Sequence, residues 1–451
     1  MSGQVSELIL PEVSVESPST SIASHSTTSD RKRPRESDSD FLPNAKKAID
    51  SEPSATQFTD LNIDCLAYVF DRLELIDLFN VANVTADIKT AAKLVYSKRY
   101  SKHLLKISGM NKPLAIDLND SIISISSVPI CTTFLDAFGD SVKKLQLEYI
   151  TNKQLTDDWM GVRKLIHEKC AKHVIELKLV NCEEEMFAGV QSAMENVKSL
   201  RISCSHLGKC VELDKWFPVI EQLELMHNDG CVQIQSYFPY LCYLAMDMCL
   251  TTVDIETMLK SAPQLHTLRL WGGIDASLLQ FISENLPNLK DLRLNGFHLV
   301  TEQDEIIRFK SIETLQIFTG FLGELPDDIP FEFERLKELR LVADSLGDDW
   351  IDFALRQTQL EKLQLDTFWK PEIVDGHLVE LATTLTQLKE VDVVADVTAE
   401  GLTRFLVQHK LLQKIRITKY DEIQYDALTK AAGTKWHLTH EERSMTFERK
   451  N

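Results

Sequence analysis

Leu265-His266-Thr267-Leu268-Arg269-Leu270 and Leu289-Lys290-Asp291-Leu292-Arg293-Leu294 are one phrase written twice, 24 residues apart. The phrase is L-x-x-L-x-L, and the chain repeats it. Before these two come VKKLQL at Val142, VIELKL at Val174, VKSLRI at Val197, IEQLEL at Ile220 and LCYLAM at Leu241. After them come IETLQI at Ile312, LKELRL at Leu336, LEKLQL at Leu360, LKEVDV at Leu388 and LQKIRI at Leu412. Most steps are 21 to 24 residues; the first is 32 and the step into Leu388 is 28. Apolar and polar residues alternate within each phrase, which is the period of a strand whose successive side chains face opposite ways. A short strand returning at a fixed period of this size marks a stack of similar strand-and-return units.

The expected fold is α/β: a leucine-rich-repeat solenoid, with a curved parallel sheet of about twelve repeats. The leucines point into the core and the residues between them point out. Strands ~4.8 Å apart give an inner arc on the order of 50–60 Å. LLQFISENLPNL (278–289) and IETMLKSAPQL (255–265) read as return helices behind the sheet, each ended with the help of a proline.

The outward residue between the last two leucines forms a ladder. In order it is Gln146, Lys178, Arg201, Glu224, Ala245, Arg269, Arg293, Gln316, Arg340, Gln364, Asp392 and Arg416. Six are basic and two acidic, in a chain of net charge −19. That local reversal suggests a site for an acidic protein partner held by bidentate arginine contacts, although Asp291 and Glu338 stand close enough to neutralise it. The residue two further on makes a second column with Met226, Trp271, Phe318 and Val342; Phe368 and Trp369 follow the tenth strand. Aromatics beside arginine are the usual makings of an interface hot spot. The candidate substrate contacts are therefore Arg269, Trp271, Arg293, Phe318 and Arg340.

Other classes find little support in 451 residues. An acidic balance argues against a general nucleic-acid binder, because phosphate backbones attract excess Lys and Arg. The nine cysteines form no C-x-x-C and read as reduced, mostly buried thiols; Cys182 and Cys249 take the ninth place of their repeats, where this repeat class accepts Asn or Cys. MSGQVSELIL lacks a basic start before an apolar stretch, and no apolar run nears the ~18–20 residues a bilayer requires. A soluble intracellular protein without membrane contact is expected. No G-x-x-x-x-G-K-[ST], G-x-G-x-x-G or G-x-S-x-G is present. His437 and His440 lack a cysteine cluster or H-E-x-x-H. The chain is expected to be non-catalytic, with no cofactor and no metal.

Five segments organise the chain. Residues 1–56 hold 17 Ser or Thr and one aromatic, Phe41, too little apolar surface to offset ordering entropy, so a disordered tail is expected. Within it Arg31, Lys32, Arg33 and Arg35, then Lys46 and Lys47, read as a nuclear-localisation signal, placing the protein in the nucleus or cytoplasm. Ser37 and Ser39 lie in ESDSD beside this run, where phosphate would add opposing charge. Residues 57–100 read as three short amphipathic helices, a docking module or an N-terminal cap. HLLKIS, PLAIDL and SIISIS within 101–140 read as strands, and TTFLDAFGD as a helix ended by Gly139. Residues 141–420 are the repeats. Residues 421–451, with helix-like YDALTKAAG and strand-like MTFER, read as a C-terminal cap.

The first helices carry a resemblance. Leu61-Asn62-Ile63-Asp64-Cys65-Leu66-Ala67-Tyr68-Val69-Phe70, then Leu73, Leu75-Ile76-Asp77-Leu78, Val81 and Val84, resembles an F-box, whose pattern is L-P-x-E-x-L-x-x-I-F, a leucine, D-L and V-C-x-x-W. Asn62, Thr85 and Ile88 stand where that pattern has proline, cysteine and tryptophan. An F-box before leucine-rich repeats resembles the substrate receptors of SCF-type ubiquitin ligases. The resemblance implies a Skp-type adaptor and a cullin scaffold as partners, with Leu61, Leu66, Val69, Phe70, Leu73 and Leu78 carrying the adaptor contact or the module's own core. It implies that the repeats hold a protein substrate for ubiquitination, a catalysis by proximity that needs no active-site residue. The alternative is a leucine-rich-repeat scaffold or regulator, in the nucleus or outside it, that binds an acidic protein and has no ligase role.

Overall fold

The structure, a computed structural model, describes residues 61–109, 116–119, 121–149, 157–182, 193–204, 213–226, 237–247, 252–272, 274–296, 306–319, 331–368, 371–418, 430, 433–441 and 444–450. The basic cluster from Arg31 to Lys47, the acid run Glu183 to Glu185, Cys249, Trp369 and most of YDALTKAAG lie outside these residues.

Three helices open the described chain: α1 (Ile63–Phe70), α2 (Leu75–Val81) and α3 (Ala86–Arg99). Asn62 caps α1, its side-chain oxygen accepting the Cys65 N–H at 2.8 Å. Thr85 caps α3 in the same way, accepting from Ile88 N–H at 3.3 Å. Each satisfies one of the amide donors a helix start leaves open. The Arg99 guanidinium at the end of α3 donates to the carbonyls of Asp71 and Leu73, fastening α3 to the α1–α2 turn. α1 and α2 pack on α3, and α3 packs on α4 (Val128–Phe138). There Tyr96 stacks on Phe138 at 4.5 Å and meets Phe134 edge-on at 5.7 Å. Lys89–Asp136 and Lys93–Asp140 ion pairs flank this contact. The helices and the sheet share one continuous apolar core.

All twelve phrases form strands, and they stack in sequence order, all parallel. They are β4 (Lys144–Glu148), β5 (Glu176–Val180), β6 (Ser199–Ser203), β7 (Gln222–Met226), β8 (Tyr243–Asp247) and β9 (Thr267–Trp271), then β10 (Asp291–Asn295), β12 (Thr314–Phe318), β14 (Glu338–Ala343), β15 (Lys362–Thr367), β17 (Glu390–Asp396) and β18 (Lys414–Thr418). Before β4 the sheet continues as β1 (Leu104–Ser108), parallel to it. β3 (Ile122–Ile125) lies parallel to β1, and β2 (Ile116–Asn119) is antiparallel at the edge. After β18 the chain turns back in an antiparallel pair, β20 (Ser444–Arg449) on β18 and β19 (Trp436–Glu441) outermost. An antiparallel partner at each end covers the open row of amides and carbonyls that a parallel stack would otherwise present. The phrase leucines are buried.

The return segments cover one face. Helices α5 (Asp157–Leu165) and α6 (Leu213–Trp216) lie in early returns, and α7 (Thr252–Lys260) and α8 (Ala276–Asn285) sit where expected. α9 (Gly347–Arg356), α10 (Asp375–Thr384), which follows the two-residue strand β16 (Ile373–Val374), and α11 (Ala399–Gln408) extend the row. Among the described residues, the returns after β10 and β12 carry short strands, β11 (Ile307–Phe309) and β13 (Phe331–Phe333), which pair in parallel. Phe309 stacks on Phe333 at 4.9 Å, so aromatic packing does there what a helix face does elsewhere. Gly139 departs from its expected role: its φ is −52°, so it is no left-handed helix stop. It is required by space, since a Cβ would stand 2.6 Å from the Lys169 Cβ.

Candidate functional site

Two surfaces are left for partners. The first is the outer side of the opening helices. Here the structure divides the six motif positions. Leu66, Phe70 and Leu78 are buried in the core that the helices share with the sheet, while Leu61 and Leu73 are partly buried against it. Val69 alone of the six is exposed, at 44%. Beside it Tyr68 at 71%, Ile76 at 53% and Val84 at 65% are exposed too; they lie in the stretch that resembles an F-box but are not among the expected adaptor contacts. Large apolar side chains so open on a short segment are the informative departure from ordinary burial. Cys65, Tyr68 and Val69 share one side of α1 by their three- and four-residue spacing, and Cys65 is also exposed. The spacing signal was in the sequence: Leu66 and Phe70 are four apart on one side, Cys65 and Val69 four apart on the next. The three departures from the F-box pattern have local reasons. Asn62 and Thr85 are helix caps, and Ile88 is buried.

The second surface is the face of the sheet away from the return segments. The ladder stands as read: Gln146, Lys178, Arg201, Glu224, Ala245, Arg269, Arg293, Gln316, Arg340, Gln364, Asp392 and Arg416 are register partners in unbroken order. Its expected positive charge is largely cancelled. Lys178 meets Glu176 at 3.1 Å, Arg201 meets Glu224 at 3.4 Å, and Arg416 meets Glu441 at 3.3 Å. The Arg293 guanidinium, one of the expected substrate contacts, is held in a fork by Asp291, with Nη2 at 2.8 Å and Nε at 3.0 Å. A sequence places Asp291 two residues away on the same face, which was the available sign.

Arg269 and Arg340 differ. Among the described residues neither has a carboxylate within ion-pair distance. Arg269 lies over the Tyr243 ring at 5.2 Å, and its Nε is buried without a hydrogen-bond partner. Burial first, and the Glu224 carboxylate second, push the Tyr243 phenol up. Arg340 is exposed on β14.

At the C-terminal ends of β9, β10 and β12 lies an apolar notch of about 400 Å³, lined by Trp271, Gly272, Asn295, Gly296 and Phe318. Trp271 is half-buried, and Phe318 is 38% exposed and meets Phe368 edge-on at 5.8 Å. Val342, the next residue in this column, is buried and offers no contact surface. A second depression of about 370 Å³ lies over β12 to β20. Its cations Arg340, Lys362, Lys414 and Arg416 face Glu338, Glu390, Asp392 and Glu441, so its charges balance. Burial pushes the carboxyls of Asp366 and Asp392 above the ordinary aspartate range, against the pull of Arg340 and Arg416.

Among the described residues no group of three or more His, Cys, Asp or Glu is placed to hold a metal ion. None of their helices is long and apolar enough to cross a membrane.

No family model matches the chain, and no curated protein matches it in sequence. Among solved structures, the crystal structure of a TLR13–ssRNA13 complex is similar over 60% of this chain and 38% of that one, at 15% identity and a TM-score of 0.32. This chain therefore matches well under half of that protein's length, and the similarity is too loose to bear on function.

Proposed function

We propose that the protein is a leucine-rich-repeat receptor of an SCF-type ubiquitin ligase. Its opening helices dock a Skp-type adaptor on a cullin scaffold, and its sheet face holds a protein substrate. The observation that carries this reading is the partition of the opening helices. Leu66, Phe70 and Leu78 make a core, while Tyr68, Val69, Ile76 and Val84 stay open to solvent. A helix pair that served only as an end cap would gain nothing from apolar residues on its outer side, whereas a docking module needs them. The chain supplies position rather than chemistry: two reactants held on one assembly react at a raised effective concentration.

One observation favours the alternative, a scaffold without a ligase role. Phe79 and Tyr96 pack directly on Phe134 of α4, as the helices of a repeat cap would. Calorimetry of the full chain with a Skp-type adaptor separates the two. Saturable binding that is lost in a Val69→Asp/Ile76→Asp variant supports the receptor; heat indistinguishable from dilution leaves the cap.

A further inference from the structure

Resting on the reading of the sheet face as a substrate-holding surface, we infer that the notch between Trp271 and Phe318 captures an extended acidic-hydrophobic segment of a protein partner. A bulky apolar side chain enters the notch, and a carboxylate two residues away along the segment meets Arg269 or Arg340.

The notch is a built feature of two particular repeats. Each early strand ends in a left-handed residue that hands its N–H to the neighbouring strand. Tyr149, Asn181 and Cys204 take this place at φ 53°, 50° and 49°, and donate to the carbonyls of Val180, Ser203 and Met226. Gly272 and Gly296 take it after β9 and β10, at φ 111° and 72°, donating to the carbonyls of Asn295 and Phe318. Side-chain-bearing residues hold this turn elsewhere in the same sheet, so the turn at Gly296 does not by itself demand glycine. What two adjacent glycines add is a bare backbone floor. Among the described residues, the three atoms nearest to a Cβ on Gly296 would be Gly272 backbone, at 3.4 Å and beyond, which is ordinary contact. Trp271 and Phe318 rise on either side of this floor.

The charge lies at a matching distance. Arg269 precedes Trp271 by two residues on the same face of β9, and Arg340 stands on β14, the strand beside that of Phe318. Two residues along a strand span roughly 6.6 Å, which is also the spacing of alternate side chains in an extended peptide. The other four ladder cations already meet carboxylates of this chain. Arg269 and Arg340 are the two ladder cations without an ion pair among the described residues; Arg340 stands in the field of Asp366 and Asp392, and Arg269 brings a buried Nε that lacks an acceptor. Glu224, Asp366 and Asp392 on the same face would repel a run of phosphates, so one or two carboxylates beside an apolar anchor fit better than a nucleic-acid backbone.

The test uses the full chain and fluorescein-labelled peptides of a Ser/Gly/Thr background carrying Leu or Phe, with Asp two positions later. Fluorescence polarisation should show saturable binding, weakened on the order of tenfold or more by Phe318→Ala, by Arg269→Gln with Arg340→Gln, and by Gly296→Asn. Gly296→Asn fills the floor with a residue that this sheet already accepts in the left-handed turn at Asn181, so it keeps the test valid where a core-facing change might unfold the chain. Replacing the peptide's Asp by Asn, or moving it next to the anchor, should weaken binding by a similar factor. Absence of binding to any such peptide overturns the inference, as does binding indifferent to all three variants or to the Asp position. Notch-dependent binding of a single-stranded RNA in place of the peptides also overturns it, as does self-association of the chain that Phe318→Ala abolishes. Adaptor affinity is measured on the same preparation. Adaptor binding without peptide binding removes this inference alone, and peptide binding without adaptor binding removes only the ligase reading.

Discussion

Leu66 and Val69 are three residues apart on α1, yet the structure buries the first and leaves the second open. Leu66 is fully buried among α1, α3 and the residues behind them, and Val69 is mostly solvent-exposed. Leu66→Ala removes a buried isobutyl group and leaves a cavity, at a cost of about 2–5 kcal/mol. Val69→Ala removes methyls that already touch water and falls within about 0.5 kcal/mol. α1 packs chiefly on α3, so the cost of the first change falls first on α1. Hydrogen exchange of the α1 amides is therefore the sensitive assay. Exchange in Leu66→Ala should speed up roughly 30- to 4,000-fold, and in Val69→Ala by less than about threefold, with strands β9 to β15 unchanged in both. Comparable acceleration in the two variants would refute the partition, and with it the division of the motif into core and contact surface.

Two further perturbations test the reasoning elsewhere. Gly401 in α11 faces Asp375, whose carboxylate caps that helix by accepting the Thr398 N–H at 2.8 Å; an added Cβ would sit 2.0 Å from Oδ1. Gly401→Ala should lower stability by about 1–2 kcal/mol in thermal or urea unfolding despite alanine's helix preference, and should cost nothing further in an Asp375→Ala background. His167 is held down to about 4 by burial first and by the Arg163 charge second. Its unfolded form titrates at the ordinary 6.5, so the unfolded chain binds the extra proton first and stability is lost as pH falls from 6.5 towards 4. His167→Leu should lessen that acid loss by about 1–2 kcal/mol, discounted for the ring's partial exposure, and should leave the melting point near pH 8 little changed.

Much of this was legible in the sequence. Twelve L-x-x-L-x-L phrases at near-constant spacing specify twelve parallel strands, because the phrase fixes which side chains face in and the spacing leaves room for one return. The ladder's register followed with no slip. The return segments were less legible. IRF and FEF are too short to declare a period, and only the stacking of Phe309 on Phe333 selects a strand over a helix there. Residue type along one column gives the ladder its basic excess, and Asp291 and Glu338 are the neighbours that the sequence marks as able to neutralise it. Asp291 is two residues from Arg293 in sequence, but Glu224 reaches Arg201 only across the strand pair. The notch was the least visible. Trp271 and Phe318 were noted as aromatics, yet the two glycines that open the floor between them lie one residue past the strand, and nothing in their local sequence tells an open floor from an ordinary turn.

The most direct test of the central claim is a hydrogen-exchange footprint of a Skp-type adaptor on the full chain. The account predicts protection confined to residues 63–84, the span from α1 to the turn after α2, and lost in Val69→Asp/Ile76→Asp while Leu66 stays in a folded core. Protection on the strand face instead, or no protection at saturating adaptor, would contradict it.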